Sequence, residues 1–344
     1  MKKRYLILAD GSVYEGLAFG ADAPCMGELV FTTVVCNYNE VLCDPCHSGQ
    51  IVVQTFPLIG NFGMVAPECR QKCHLSGYVV RECCENPSNF RCEGTLDDFL
   101  KAHNIPGIMD VDTREITRHI RTFGEMPAMI CDEIPQDMNK FTSDLKKYAP
   151  PAAAAPSAAE SHSCNGRADV AVLDLGARRN LIEAMHMRGL NVRILPANAS
   201  AEEILSCDPA GLILSDGPGD PAACAAVETA RALLGRLPLF GVGLGHQVLA
   251  LAAGAQVEKL PHGHRGGNQP VKDAASGRCL ITRQNHAFCV VAGTVKNGEV
   301  RFTNANDGTC EGVSYPALRA LSVQFLPEAD SPVYDEMTAM MEVE

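Results

Sequence analysis

The sequence has no apolar run of the roughly 18 residues that a membrane-crossing helix needs, which excludes a helical span. It has no surplus of positive charge. Its 29 lysines and arginines face 41 aspartates and glutamates, giving a net charge of −12 and a pI near 5.3. A nucleic-acid footprint needs a basic face, so that class is disfavoured. There is no Gly-x-x-x-x-Gly-Lys loop to cradle a nucleotide's phosphates, so phosphoryl transfer is not expected in this chain. No internal repeat is evident. The segment Met1-Lys-Lys-Arg-Tyr-Leu-Ile-Leu-Ala-Asp-Gly11 has too short an apolar stretch for a secretory signal. Asp10-Gly11 reads instead as a turn after a short strand, and a cytoplasmic protein is expected.

What is present is enough apolar residue, 46% of 344, to bury two cores, and the length favours two domains. Residues 1–147 carry short strand-like runs between Gly, Pro and Asn turns: Arg4–Leu8, Glu28–Val35, Gln50–Thr55 and Gly77–Arg81. Helices are predicted over Thr95–His103, with Thr95 as N-cap, and over Thr113–Thr122. This reads as a mixed β/α domain. Residues 148–168 are rich in Ala, Pro and Ser without periodicity, and read as a semi-extended linker. From Asp169 to Glu344 strands alternate with helices. The strands are Val170–Asp174, Asn191–Leu195, Gly211–Leu214 and Leu237–Phe240; the helices are Asn180–Arg188, Ala201–Ser206, Asp220–Leu234 and His246–Ala253. Later strands are expected over Leu280–Arg283, Glu299–Thr303 and Ala320–Gln324. That alternation predicts an α/β domain built on a doubly wound parallel sheet, with ligands at the carboxyl ends of its strands.

Sixteen cysteines are many for a reducing compartment, where most are expected as small buried thiols. Cys43-Asp-Pro-Cys46-His47 has the spacing of a c-type haem attachment, and with Cys69, Cys73 and His74 it offers soft ligands that suit zinc. Haem attachment needs export, for which there is no signal. The plainer reading is two small residues in a turn, and no metal is assigned.

The most informative stretch is Leu237-Pro-Leu-Phe-Gly-Val-Gly-Leu-Gly-His-Gln247. It reads as a strand, a sharp glycine elbow and a helix. Such an elbow lifts a nucleophile onto a helix N-terminus, where backbone N–H groups stabilise negative charge. Here the elbow residue is Gly243, which has no side chain. Phe240-Gly-Val-Gly-Leu-Gly-His-Gln247 resembles the Phe-Gly-Ile-Cys-Leu-Gly-His-Gln elbow of class I glutamine amidotransferases, and the whole chain resembles the small subunit of carbamoyl-phosphate synthase. In the first half the resemblance rests on Gly27-Glu-Leu-Val-Phe-Thr-Thr33, Tyr38-Asn-Glu40, Phe56-Pro-Leu-Ile-Gly-Asn61, Pro87-Ser-Asn-Phe-Arg91 and Asp112-Thr-Arg-Glu-Ile-Thr-Arg118.

The resemblance implies a glutamine pocket whose family contacts fall on Cys46, where the family has serine, and on Gly217, Gly219, Leu244, Gln247, Asn285, Ala287 and Phe288. Ala287 replaces a glycine, and Arg265 and Gln269 replace two histidines. It also implies a catalytic triad, of which the elbow cysteine is Gly243 and the histidine is Leu326, preceded by Phe325 in place of glycine. Only the acid remains, as Glu328. An acid with neither base nor nucleophile has nothing to orient. Cys46, Cys224 and Cys289, with His246 and His286 as bases, are the substitutes to weigh. After Glu328 the family's long closing helix is expected to shrink to a short one. The resemblance further implies a large-subunit partner in a heterodimer that forms carbamoyl phosphate for arginine and pyrimidine synthesis. ATP and Mg are expected only on that partner, with no cofactor in this chain. The expectation is a subunit that has lost glutamine hydrolysis. The alternatives are a non-catalytic protein that binds glutamine or another metabolite, and a decaying duplicate.

Overall fold

The computed structural model describes residues 2–149, 160–162 and 169–342. They fall into two compact units, one of residues 1–151 with 261–265 and one of the remainder.

In the first unit seven strands close into a barrel: Lys3–Leu8, Val13–Gly20, Pro106–Met109, Gly77–Val79, Gln50–Gln54, Cys25–Thr32 and Met126–Cys131, in spatial order. Closure leaves no strand edge open. Alternate residues face opposite ways, as the two-residue period requires. Leu29, Phe31, Ile51 and Val53 enter one core cluster; Val30, Val52 and Tyr78 enter another. Three of the four predicted strands lie within two residues of their observed bounds, whereas Glu28–Val35 is displaced to Cys25–Thr32. Val13–Gly20 gave no strand signal because its glycines interrupt the pattern. Gly16 is needed there, since a Cβ would stand 2.4 Å from the carbonyl oxygen of Met109. Both predicted helices form, capped by Thr95 and by Asp112, whose side chains accept N–H bonds from the first turn.

Arg265 pairs with Glu125 inside this unit, the two side chains 2% and 1% exposed. Removing one member of such a pair strands a buried charge. Glu125→Ala is therefore expected to cost about 3–5 kcal/mol, read by thermal or urea unfolding.

In the second unit five parallel strands run Asn191–Pro196, Asp169–Asp174, Gly211–Leu214, Leu239–Val242 and Ala320–Val323, in spatial order. Cys310–Tyr315, Cys279–Val290, Val257–Asp273 and Glu299–Asn304 extend the sheet. Ala171, Leu173, Leu212 and Leu214 face one core; Val170, Val172, Ile213 and Val242 face the other. The doubly wound reading holds, with both faces covered.

Three expectations need correction. The linker is not wholly irregular: Glu160–His162 form a strand, antiparallel to Asn191–Pro196. Residues 150–159 and 163–168 of that predicted linker lie outside the described residues. The helix predicted over Asp220–Leu234 is a single 3-10 turn, Pro221–Ala223, followed by a helix over Ala226–Leu233. The chain end forms an 11-residue helix, Pro332–Glu342, whose Val333, Tyr334 and Met337 are core residues. Arg188 Nε donates to Asp335 at 2.7 Å and Arg301 pairs with Glu336, so this helix is anchored by charge as well as by packing. No helix among the described residues is long and apolar enough to cross a membrane.

Candidate functional site

The elbow is built as its sequence demands. Strand Leu239–Val242 ends at Gly243, which has φ 57° and ψ −114°, and helix Leu244–Ala252 begins at the next residue. A side chain is strained there, and this is the turn that presents a nucleophile. Gly243 N–H donates to Val323 O at 2.9 Å, tying the elbow to the neighbouring strand. Gly245 lets the helix press onto the sheet, because a Cβ there would lie 2.0 Å from Leu214 O.

The space above Gly243 is filled. Ser215 fixes the adjoining loop: its hydroxyl accepts from Leu175 N–H at 2.9 Å and donates to Asp216 O at 2.8 Å. The Asp216 side chain lies on the elbow. Asp216 Oδ1 accepts the Leu244 N–H at 3.0 Å, and Oδ2 lies 3.4 Å from the Arg178 guanidinium. A Cβ on Gly243 would come within 2.0 Å of Asp216 Oδ1. Sequence reasoning read this segment for its glycines and missed Asp216, whose contact with the helix N-terminus 28 residues on has no signal in the sequence.

Beside Asp216 lies a cavity of about 30 Å³, lined by Arg178, Asp216, Val242, Arg283, Leu326, Glu328 and Tyr334 among others. That is about room for one water. Leu326, at the lost base position, forms part of its apolar wall and donates its backbone N–H to Arg283 O at 2.9 Å. Phe325 is not among the lining residues. It is buried against Phe302, ring edge to face at 5.3 Å. Glu328 stays at the cavity's rim, exposed to solvent.

The predicted glutamine contacts are only partly brought together. Gly217 sits in the loop beside Asp216, and its lack of a side chain is needed for packing: a Cβ would lie 1.9 Å from Leu175 O. Gly219, two residues on, has φ 106°. Leu244 supplies the N–H that Asp216 takes. Gln247 is committed elsewhere, its amide donating to Phe288 O and to Gln324 Oε1, both at 2.9 Å. Asn285, Ala287 and Phe288 lie half-buried on strand Cys279–Val290. None of these residues lines that cavity. Cys46 lies in the other unit, buried in the 3-10 turn Pro45–His47, with its N–H donated to Asp44 at 3.0 Å. Next to it His47 Nδ1 is engaged with Gln50 Oε1 at 2.7 Å, and burial pushes the Cys43 thiol up to about 12.

The fallback nucleophiles are poorly placed chemically. A nucleophilic cysteine needs a lowered pKa. Burial, then Glu258, pushes Cys289 up to about 12, and burial raises Cys224. His246 is fully buried beneath the elbow, its Nδ1 2.8 Å from Ser322 Oγ, and burial drives its pKa down to about 3. A base that weak does not take a thiol's proton at neutral pH. His286 is engaged at both nitrogens, by Phe288 O at 2.8 Å and Gln284 Oε1 at 3.1 Å.

His246 has a consequence for stability. The unfolded chain takes up its proton from about pH 6.5 downward, whereas the folded chain does so only near 3. Stability from this residue is complete above pH 6.5 and is lost on acidification through that window, by up to about 1.4 kcal/mol per pH unit. His246→Gln is expected to flatten this part of the parent's pH–stability curve, measured by urea unfolding between pH 4 and 7. An unchanged slope would refute the assignment.

The comparisons with known proteins agree with this architecture. Residues 6–130 match the carbamoyl-phosphate synthase small chain domain, and residues 171–341 match glutamine amidotransferase class I. The carbamoyl phosphate synthase small chain of Oceanobacillus iheyensis is 43% identical, covering 96% of this chain and 92% of that one. Those of Staphylococcus epidermidis and Bacillus caldolyticus are each 40% identical, covering 99% and 98% of this chain and 96% of theirs.

Proposed function

Because the chain belongs to the carbamoyl phosphate synthase small-chain family, we propose that it serves as the small subunit of such a synthase without hydrolysing glutamine itself. Its role is to pair with a large subunit, which binds ATP and Mg and draws on free ammonia to make carbamoyl phosphate for arginine and pyrimidine synthesis. The reading is supported above all by Gly243: the elbow keeps its strained geometry and its helix N-terminus but carries no nucleophile. Leu326 removes the base, and Glu328 is left without a partner to orient. Mutational removal of triad members costs several orders of magnitude in rate, and the two most costly positions are both changed here.

The alternative reading, a glutamine-binding regulatory chain, requires a pocket. The seating of Asp216 on the Leu244 N–H and the donation of the Gln247 amide to Phe288 and Gln324 argue against it. The test is carbamoyl phosphate synthesis by the chain paired with a large subunit, driven in turn by ammonium and by glutamine. Ammonium-driven synthesis that glutamine does not raise supports the proposal; robust glutamine-driven synthesis overturns it.

A further inference from the structure

We infer that Asp216 is a built-in occupant of the oxyanion pocket, its carboxylate seated where the substrate's oxyanion would form and sealing the site against glutamine. This deepens the proposed function and rests on it for its meaning. In a nucleophile elbow the N–H of the residue after the nucleophile points at the oxyanion. Here that residue is Leu244, and its N–H is taken by Asp216 Oδ1 at 3.0 Å. The other oxygen faces Arg178 at 3.4 Å. Asp216 is 5% exposed, so this is a buried carboxylate whose partners include a dipole-aligned N–H and a guanidinium. The same Oδ1 lies 2.0 Å from where a Gly243 Cβ would be. Absence of the elbow side chain and presence of the carboxylate are therefore sterically linked: the space admits one or the other. The chain has replaced a catalytic side chain by an internal anion, and the pocket that served a substrate now serves the fold.

An internal carboxylate can be exchanged for an external one. In Asp216→Ala the Leu244 N–H and Arg178 keep their positions and the carboxylate's volume is vacated. Sodium formate, with chloride as the ionic-strength control, is then expected to raise the thermal midpoint of Asp216→Ala by about 2–4 °C at tenfold saturation, with no formate-specific rise in the parent. Asp216→Asn, which retains an acceptor oxygen, is expected to show none either. A formate response no larger in Asp216→Ala than in the parent overturns the inference. A measurement on the unmodified chain stands beside it should Asp216→Ala not fold. The backbone amide resonance of Leu244 is expected to stay fixed on addition of 10 mM glutamine, and a shift at that amide overturns the sealed pocket. The two ideas fail separately. Ammonia release from glutamine by the parent would overturn the proposed function, whereas a Leu244 shift without ammonia release would overturn only the role of Asp216.

Discussion

Gly243→Cys combined with Leu326→His will lower the thermal midpoint by about 5–15 °C. Two physical costs add at the elbow. The first is strain, about 1–3 kcal/mol, from placing a side chain on backbone at φ 57°, ψ −114°. The second is overlap: the new Cβ meets Asp216 Oδ1 at 2.0 Å, so the buried carboxylate must leave both Leu244 N–H and Arg178, at about 1–3 kcal/mol more. A total of about 2–6 kcal/mol corresponds to the stated shift in a domain of this size. Adding Asp216→Ala is expected to return at least ~1 kcal/mol of that loss, a coupling that a double-mutant cycle between positions 216 and 243 measures directly. Strict additivity of the two changes would contradict the packing described here.

The second large effect concerns the reaction. A synthase assembled with this chain is expected to depend on ammonium, with a glutamine-driven rate lower by a factor of about 10⁴ or more, the scale on which loss of triad members acts. Leu326→His alone is expected to change that ratio little. It restores a base with nothing to deprotonate, and Gly243 leaves the helix N-terminus facing Asp216 instead of a thiol.

Much of this was legible in the sequence. The period of Val170–Asp174 and of Gly211–Leu214, with helices between, dictated a parallel sheet covered on both faces. The glycine run at 241–245 located the elbow within a residue. The barrel was not legible, because its closure depends on Val13–Gly20, where glycines such as Gly16 serve a close approach between strands and erase the alternation by which strands are recognised. Glu160–His162 was hidden for a different reason: three polar residues in an Ala/Pro-rich stretch carry no pattern, and pairing with Asn191–Pro196 is supplied by the backbone.

At the site, residue identities told what had been lost at 243 and 326 but not what had taken its place. Phe325, which stands in place of a glycine beside Leu326, packs on Phe302. The occupant is a loop carboxylate met by the Leu244 N–H and Arg178, a tertiary fact with no local signature. Gln247, read as a ligand contact, also ties helix to strand, its amide donating to Phe288 and Gln324.

The most direct measurement is ammonia release from glutamine by the purified chain, alone and paired with a carbamoyl phosphate synthase large chain. A small subunit with an intact triad serves as the positive control. The account predicts no release above the blank in either state, while ammonium chloride supports carbamoyl phosphate synthesis by the pair. Release of ammonia that scales with this chain's concentration would contradict it.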